Sequence, residues 1–101
     1  MGNLRLEHSN LEAKVNIEFT NLLENIKESV VFEEYEEDAV DVYFESSGNV
    51  VSVFVCEILK SGEIKVKEVE DETEHTISIW ELNSVLDKIN LVEILEAKLK
   101  F

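Results

Sequence analysis

The sequence predicts an α+β fold: an N-terminal helix, a four-stranded antiparallel meander and a C-terminal helix. Three observations carry this. Apolar residues recur at helical spacing near both ends. The middle of the chain alternates in the two-residue period of strands. Turn residues fall between the alternating runs, and proline is absent. At 101 residues the chain fits one compact domain, 1–101, large enough for a single core.

The first helix is read from Ser9-Asn10-Leu11-Glu12, a capping-box pattern in which Ser9 accepts an early helical amide and Glu12 reaches back. Leu11, Val15, Phe19, Leu22, Ile26 and Val30 follow at steps of three and four, giving one apolar face about 20 residues long. Leu11, Ala13, Val15, Ile17 and Phe19 also alternate as a strand would. The cap and the spacing together favour the helix.

An acidic connector, 32–38, leads to an alternating segment over 38–45, with Val40, Val42 and Phe44 on one side and Asp41, Tyr43 and Glu45 on the other. Ser46-Ser47-Gly48-Asn49 is a hairpin turn. Val50–Leu59 is apolar on both faces, as expected of a central strand covered on both sides, with Val51, Val53 and Val55 pointing one way and Val50, Phe54, Cys56 and Ile58 the other. After a turn at Lys60-Ser61-Gly62, Glu63–Val69 is a third strand with Lys65 and Lys67 outward. His75–Trp80 is the fourth, with Ile77 and Ile79 on its apolar side. Leu82, Val85, Leu86, Ile89, Val92, Leu95 and Leu99 make a helical stripe to the end, although 95–101 also alternates.

Charge is the most informative feature. The net charge is −14, and twelve of those charges lie in two runs without Lys or Arg. Residues 32–45 hold Glu33, Glu34, Glu36, Glu37, Asp38, Asp41 and Glu45; residues 70–81 hold Glu70, Asp71, Glu72, Glu74 and Glu81. Concentrated charge makes a directional field that selects a basic partner. It opposes direct binding to nucleic acid or to anionic membrane. In a simple meander the connector and the 70–74 loop fall at opposite ends of the sheet, roughly 20–25 Å apart.

Catalytic and metal motifs are missing. Cys56, the single cysteine, lies amid Val and Ile, where burial leaves a thiol inert. Glu70, Asp71, Glu72, Glu74 and His75 lack the spacing of a calcium loop, and His8, His75 and Cys56 do not form a zinc pattern. No cofactor or metal is expected, nor an enzyme. With one cysteine, no apolar run of bilayer length and no signal pattern, a cytoplasmic protein is expected.

The expected function is a non-enzymatic inhibitor or adaptor that docks on a basic protein surface, such as a nuclease or another nucleic-acid-binding protein. The contact residues would be Glu33, Glu34, Tyr35, Glu36, Glu37, Asp38, Asp41, Tyr43, Glu45, Glu70, Asp71, Glu72 and Glu74. Exposed tyrosines beside acid suit such a surface. In size and composition the chain is similar to small acidic proteins of phages and mobile elements, including DNA-mimicking inhibitors of restriction and CRISPR nucleases. An immunity protein against a basic nuclease toxin fits the same physics. The rival expectation is an assembly module that forms a homodimer through an apolar sheet face of Val51, Val53, Val55 and Trp80, with the acids only solubilising.

Overall fold

A computed structural model describes residues 2–33, 39–82 and 84–99. Helix α1 spans Gly2–Glu24 and helix α2 spans Val85–Leu99. Between them lie strands β1 (Ser29–Val31), β2 (Val40–Phe44), β3 (Asn49–Leu59), β4 (Glu63–Glu68) and β5 (Glu74–Ser78), and a 3₁₀ turn at Ile79–Glu81. The α+β class and the flanking helices are as the sequence predicts. All strand pairs are antiparallel.

The N-terminal reading needs three corrections. The helix begins at Gly2, so Ser9 lies inside it and not at its start, and Glu12 turns to another helix. Leu4, Arg5, Leu6 and Glu7 are good helix formers and extend it backwards. The helix ends at Glu24, where Asn25 N–H and Ile26 N–H bond to the carbonyls three residues back. The chain then forms β1, which the sequence reading had as the end of the helix. Val30 and Val31 are β-branched and suit that strand.

Strand β3 organises the sheet. Its last residues pair with β1 (Ser29 opposite Leu59) and its first with β2 (Phe44 opposite Asn49), so β1 and β2 share one edge end to end. The other edge pairs with β4, and β4 pairs with β5. A register shift between Val55 and Glu57 makes Cys56 the extra residue of a bulge. Ile58 is thereby brought to the same side as Val53 and Val55, against the strict alternation read from the sequence.

Both helices pack on that one side. Val15, Phe19 and Leu23 of α1 and Leu91, Val92 and Leu95 of α2 share a core with Val42, Val53, Val55, Ile58, Ile64 and Val66. The opposite side of the sheet carries no other element among the described residues, and Asp41, Ser52, Lys65 and Thr76 on it are exposed. A strand covered on both faces was expected at 50–59; the structure covers one.

Helix α2 starts at Val85, three residues after the start of the stripe read from Leu82, and a capping motif precedes it. Ser84 Oγ accepts the Asp87 N–H at 3.3 Å, and Ser84 C=O accepts the Lys88 N–H. Asp87 reaches across to accept the Tyr43 N–H at 3.0 Å, which shields the free edge of β2. Lys88 is buried between the helices, 3.2 Å from Glu12 Oε1 and 3.4 Å from Asn16 Oδ1.

Candidate partner-binding surface

The unequal lengths of the strands decide where the acids sit. The acidic connector leaves β1 at Phe32, whose N–H donates to Cys56 C=O, and rejoins the sheet at Val40, opposite Val53. On the other side of β3, Val53 stands opposite Glu68. Val40, Val53 and Glu68 are therefore one cross-strand row. Asp41 stands opposite Ser52, whose C=O accepts the Val69 N–H, and this continues the next row into the acidic turn.

Two strand spacings, about 10 Å, thus separate the rejoining end of the connector from the start of the 69–73 turn. The expected placement at opposite ends of the sheet is corrected. The meander argument assumed strands of equal length; β3 has 11 residues, and its first five alone pair with β2.

Among the expected contact residues, Asp41, Tyr43 and Glu45 follow one another along β2 into its turn, and Glu70, Asp71, Glu72 and Glu74 are all exposed. Glu33 is exposed at the start of the connector. Glu34, Tyr35, Glu36, Glu37 and Asp38 lie outside the described residues. The turns 45–48 and 69–73 project from the same end of the sheet and carry acids without a base.

The acidic turn is tightly built. Glu68 N–H bonds to Thr73 C=O, and Glu72 N–H to Glu68 C=O. Asp71 Oδ1 accepts the Thr73 N–H at 3.0 Å. That backbone bond, and the Thr73 side chain, hold the Asp71 carboxyl below its ordinary range, so it stays charged in mild acid. Glu72 has φ +62°, a left-handed conformation that favours glycine. His75 is bound at 2.6 Å to Glu68, under the turn, and its ring packs 5.0 Å from Phe44. Among the described residues no group of three metal-binding side chains assembles, at His75 or elsewhere.

Several bases are occupied within the chain. Lys65 lies 3.5 Å from Glu57, Lys60 donates to Ile26 C=O, Lys98 lies over the Phe32 ring and Lys88 is buried against Glu12. Lys67 stands opposite Glu74 in the ladder. Lys65 and Lys67, the outward lysines of β4, thus each stand beside a carboxylate of a neighbouring strand.

The four residues assigned to a dimer interface have other duties. Val53 and Val55 are buried in the chain's own core and Val51 packs beside them. They face the helices, both of which pack on their side of the sheet. Trp80 is partly exposed, but its Nε1 donates to Ser61 C=O at 3.1 Å and its ring meets Phe19 edge-on. The open face instead presents Val50, Ser52, Phe54, Glu57 and their neighbours. The sequence reading did not place Val50, Ser52 and Glu68 beside the acidic turn, where the pairing brings them. The signal available was the length of the apolar-rich stretch 50–59, interrupted only at Ser52 and Glu57.

No helix among the described residues is long and apolar enough to cross a membrane. Comparison with models of known protein families, with curated proteins and with solved structures finds no match for this chain.

Proposed function

We propose that this chain is a non-enzymatic protein-binding module, an inhibitor or adaptor, that docks its acidic sheet end on a basic surface of another protein. A nucleic-acid-binding site, including that of a nuclease, is such a surface. The observation that carries the reading is the shared cross-strand row of Val40 and Glu68, which joins the end of one acidic segment to the start of the other. Carboxylates gathered at one end raise the local potential more than the same charges dispersed, and so steer encounter.

Glu72 adds support. A non-glycine residue held left-handed costs about 1–2 kcal/mol relative to ordinary backbone. Glycine would remove that cost, so retaining glutamate there gives up stability for a carboxylate at the tip of the turn.

The test is capture of basic proteins, or binding to a defined basic nuclease, as salt rises from about 0.05 to 0.3 M. Binding should fall steeply, and reversal of Glu70 and Glu72 to Lys should weaken it about tenfold or more at low salt. Glu72→Gly should raise thermal stability while lowering affinity. Capture unchanged by salt and by charge reversal would overturn the reading.

A further inference from the structure

Tyr43 stands opposite Val50 in the β2–β3 ladder. Its N–H points away from β3, to Asp87 Oδ2. The two residues are therefore a non-hydrogen-bonded antiparallel pair. It follows that Val50 also directs its own N–H and C=O away from β2, toward the β4 side. Ser52 confirms this direction, because its C=O accepts the Val69 N–H on that side at 3.0 Å.

Strand β4 ends at Glu68 and the chain turns at Val69. Beyond Ser52, then, β3 continues with an edge that no described strand pairs. That edge opens into a groove of about 410 Å³ lined by Asn49, Val50, Val51, Ser52, Glu68 and Glu70. Both charged side chains in its lining are acidic. The Val50 side chain itself is exposed on the open face. A bare strand edge is a template for another strand.

We infer that this edge of β3, at Asn49–Val50, receives an extended, basic segment of the partner protein by strand addition. The inference rests on the acidic-docking reading and names how the partner is held. Main-chain hydrogen bonds to Val50 supply the pairing, and Glu68 and Glu70 select Lys or Arg on the incoming strand. A second copy of this chain is disfavoured as occupant. It would bring the Glu68–Glu72 turns of two chains, each without a base, against one another.

The experiment uses the ¹⁵N-labelled full chain and a nine-residue peptide of alternating Lys and Val. Controls are the same peptide with Glu for Lys, and two charged versions N-methylated at the lysines or at the valines, each blocking one edge of the peptide strand. The Lys-Val peptide should slow hydrogen exchange at the Val50 N–H about tenfold or more. One N-methylated version should bind about tenfold more weakly, and the Glu peptide should not bind. Val50→Pro removes the edge donor without touching a β2 hydrogen bond, and should lose about tenfold in affinity with its amide spectrum otherwise retained.

The peptide controls need no change in the protein, so they decide the matter if Val50→Pro misfolds. Equal binding of all three Lys-containing peptides, with no protection at Val50, overturns the inference; if Glu70→Lys still weakens them, acidic docking stands without strand addition. Absence of any Lys-Val binding overturns the inference. So does Val50 protection that rises with protein concentration in the absence of peptide, which would identify a dimer edge.

Discussion

The two ends of the sheet are built differently. At the end holding the 60–62 turn, every strand is tied down. Lys60 N–H bonds to Glu28 C=O and its Nζ to Ile26 C=O, and Ile79 N–H bonds to Gly62 C=O. The Trp80 ring lies directly over Gly62. At the other end β3 outruns β4, two acidic turns project, Glu72 is left-handed, and no described strand pairs the outer edge of Val50. The difference teaches that this fold fixes one end and presents the other. Stability is concentrated where the chain crosses from α1 to β1 and from β5 to α2.

Glycine substitutions break this comparison most sharply. Gly62 has φ +95°, and a Cβ there would overlap the Trp80 indole nitrogen. Gly62→Ala must strain the backbone and displace a ring that bonds Ser61 and packs on Phe19. The expected loss is about 2–4 kcal/mol, from left-handed strain, a lost hydrogen bond and lost aromatic packing. Gly48, at the presenting end, has φ +70° with nothing near its missing Cβ. Gly48→Ala should cost only about 1 kcal/mol. Urea unfolding of both variants measures the contrast. Equal losses would mean that the two ends are equally constrained.

Lys88 gives the next effect. It lies beside Asp87, which secures the β2 edge, yet its charge is buried and met by Glu12 and Asn16. This base thus anchors α2 to α1 without offsetting the acidic surface. Among the described residues, Glu12→Ala leaves the buried ammonium with Asn16 and should cost about 1–2 kcal/mol; the part-exposed Glu12 keeps the figure below that of a fully buried pair. Lys88→Met should be close to neutral, within about 1 kcal/mol, since it removes the charge and fills the same space. A large loss in Lys88→Met would show that the pair itself sustains the interhelix packing.

Much of this architecture was legible in local pattern. The alternation of Val40, Val42 and Phe44, the turn at Gly48 and the stripe of α2 all give elements close to those observed. The strands over 63–69 and 75–80 are real, although the last becomes a 3₁₀ turn at Ile79. Failures came where the same residues satisfy two readings. Ile26 and Val30 continue the helical spacing of α1, yet Ile26 is buried beyond the helix end and Val30 is half-buried on a strand. No glycine or proline marks the break; Asn25, which folds back on Asn21 C=O, was the local sign. The bulge at Cys56 has no signature in a run of apolar residues, and it reverses the facing of Ile58. The acids themselves were visible, but their grouping was not. Which rows they share depends on how far β3 extends past its neighbours, and that is a tertiary outcome of β1 and β2 dividing one edge.

The smallest effect separates the ends by pH. Among the described residues two carboxyls are held below their ordinary values, one at each end. For Glu57 the cause is first the Ser29 hydroxyl, donating to Oε2 at 2.7 Å, and then Lys65. For Asp71 it is Thr73, two residues along the same turn. A carboxyl whose folded value is depressed contributes stability that is present above its unfolded value, ordinarily 4.5 for Glu and 3.8 for Asp, and is lost as pH falls through the folded value. The Ser29 bond joins residues 28 apart and vanishes on unfolding, so its shift is linked to the fold. The Thr73 bond is local, and an unfolded turn retains part of it. Ser29→Ala should therefore raise the Glu57 value, followed by carboxyl NMR titration, and flatten the fall in stability below about pH 4.5. Thr73→Val should raise the Asp71 value with little change in that acid limb. If both variants flatten it equally, the presenting end is coupled to global folding as firmly as the fixed one, and the distinction between them fails.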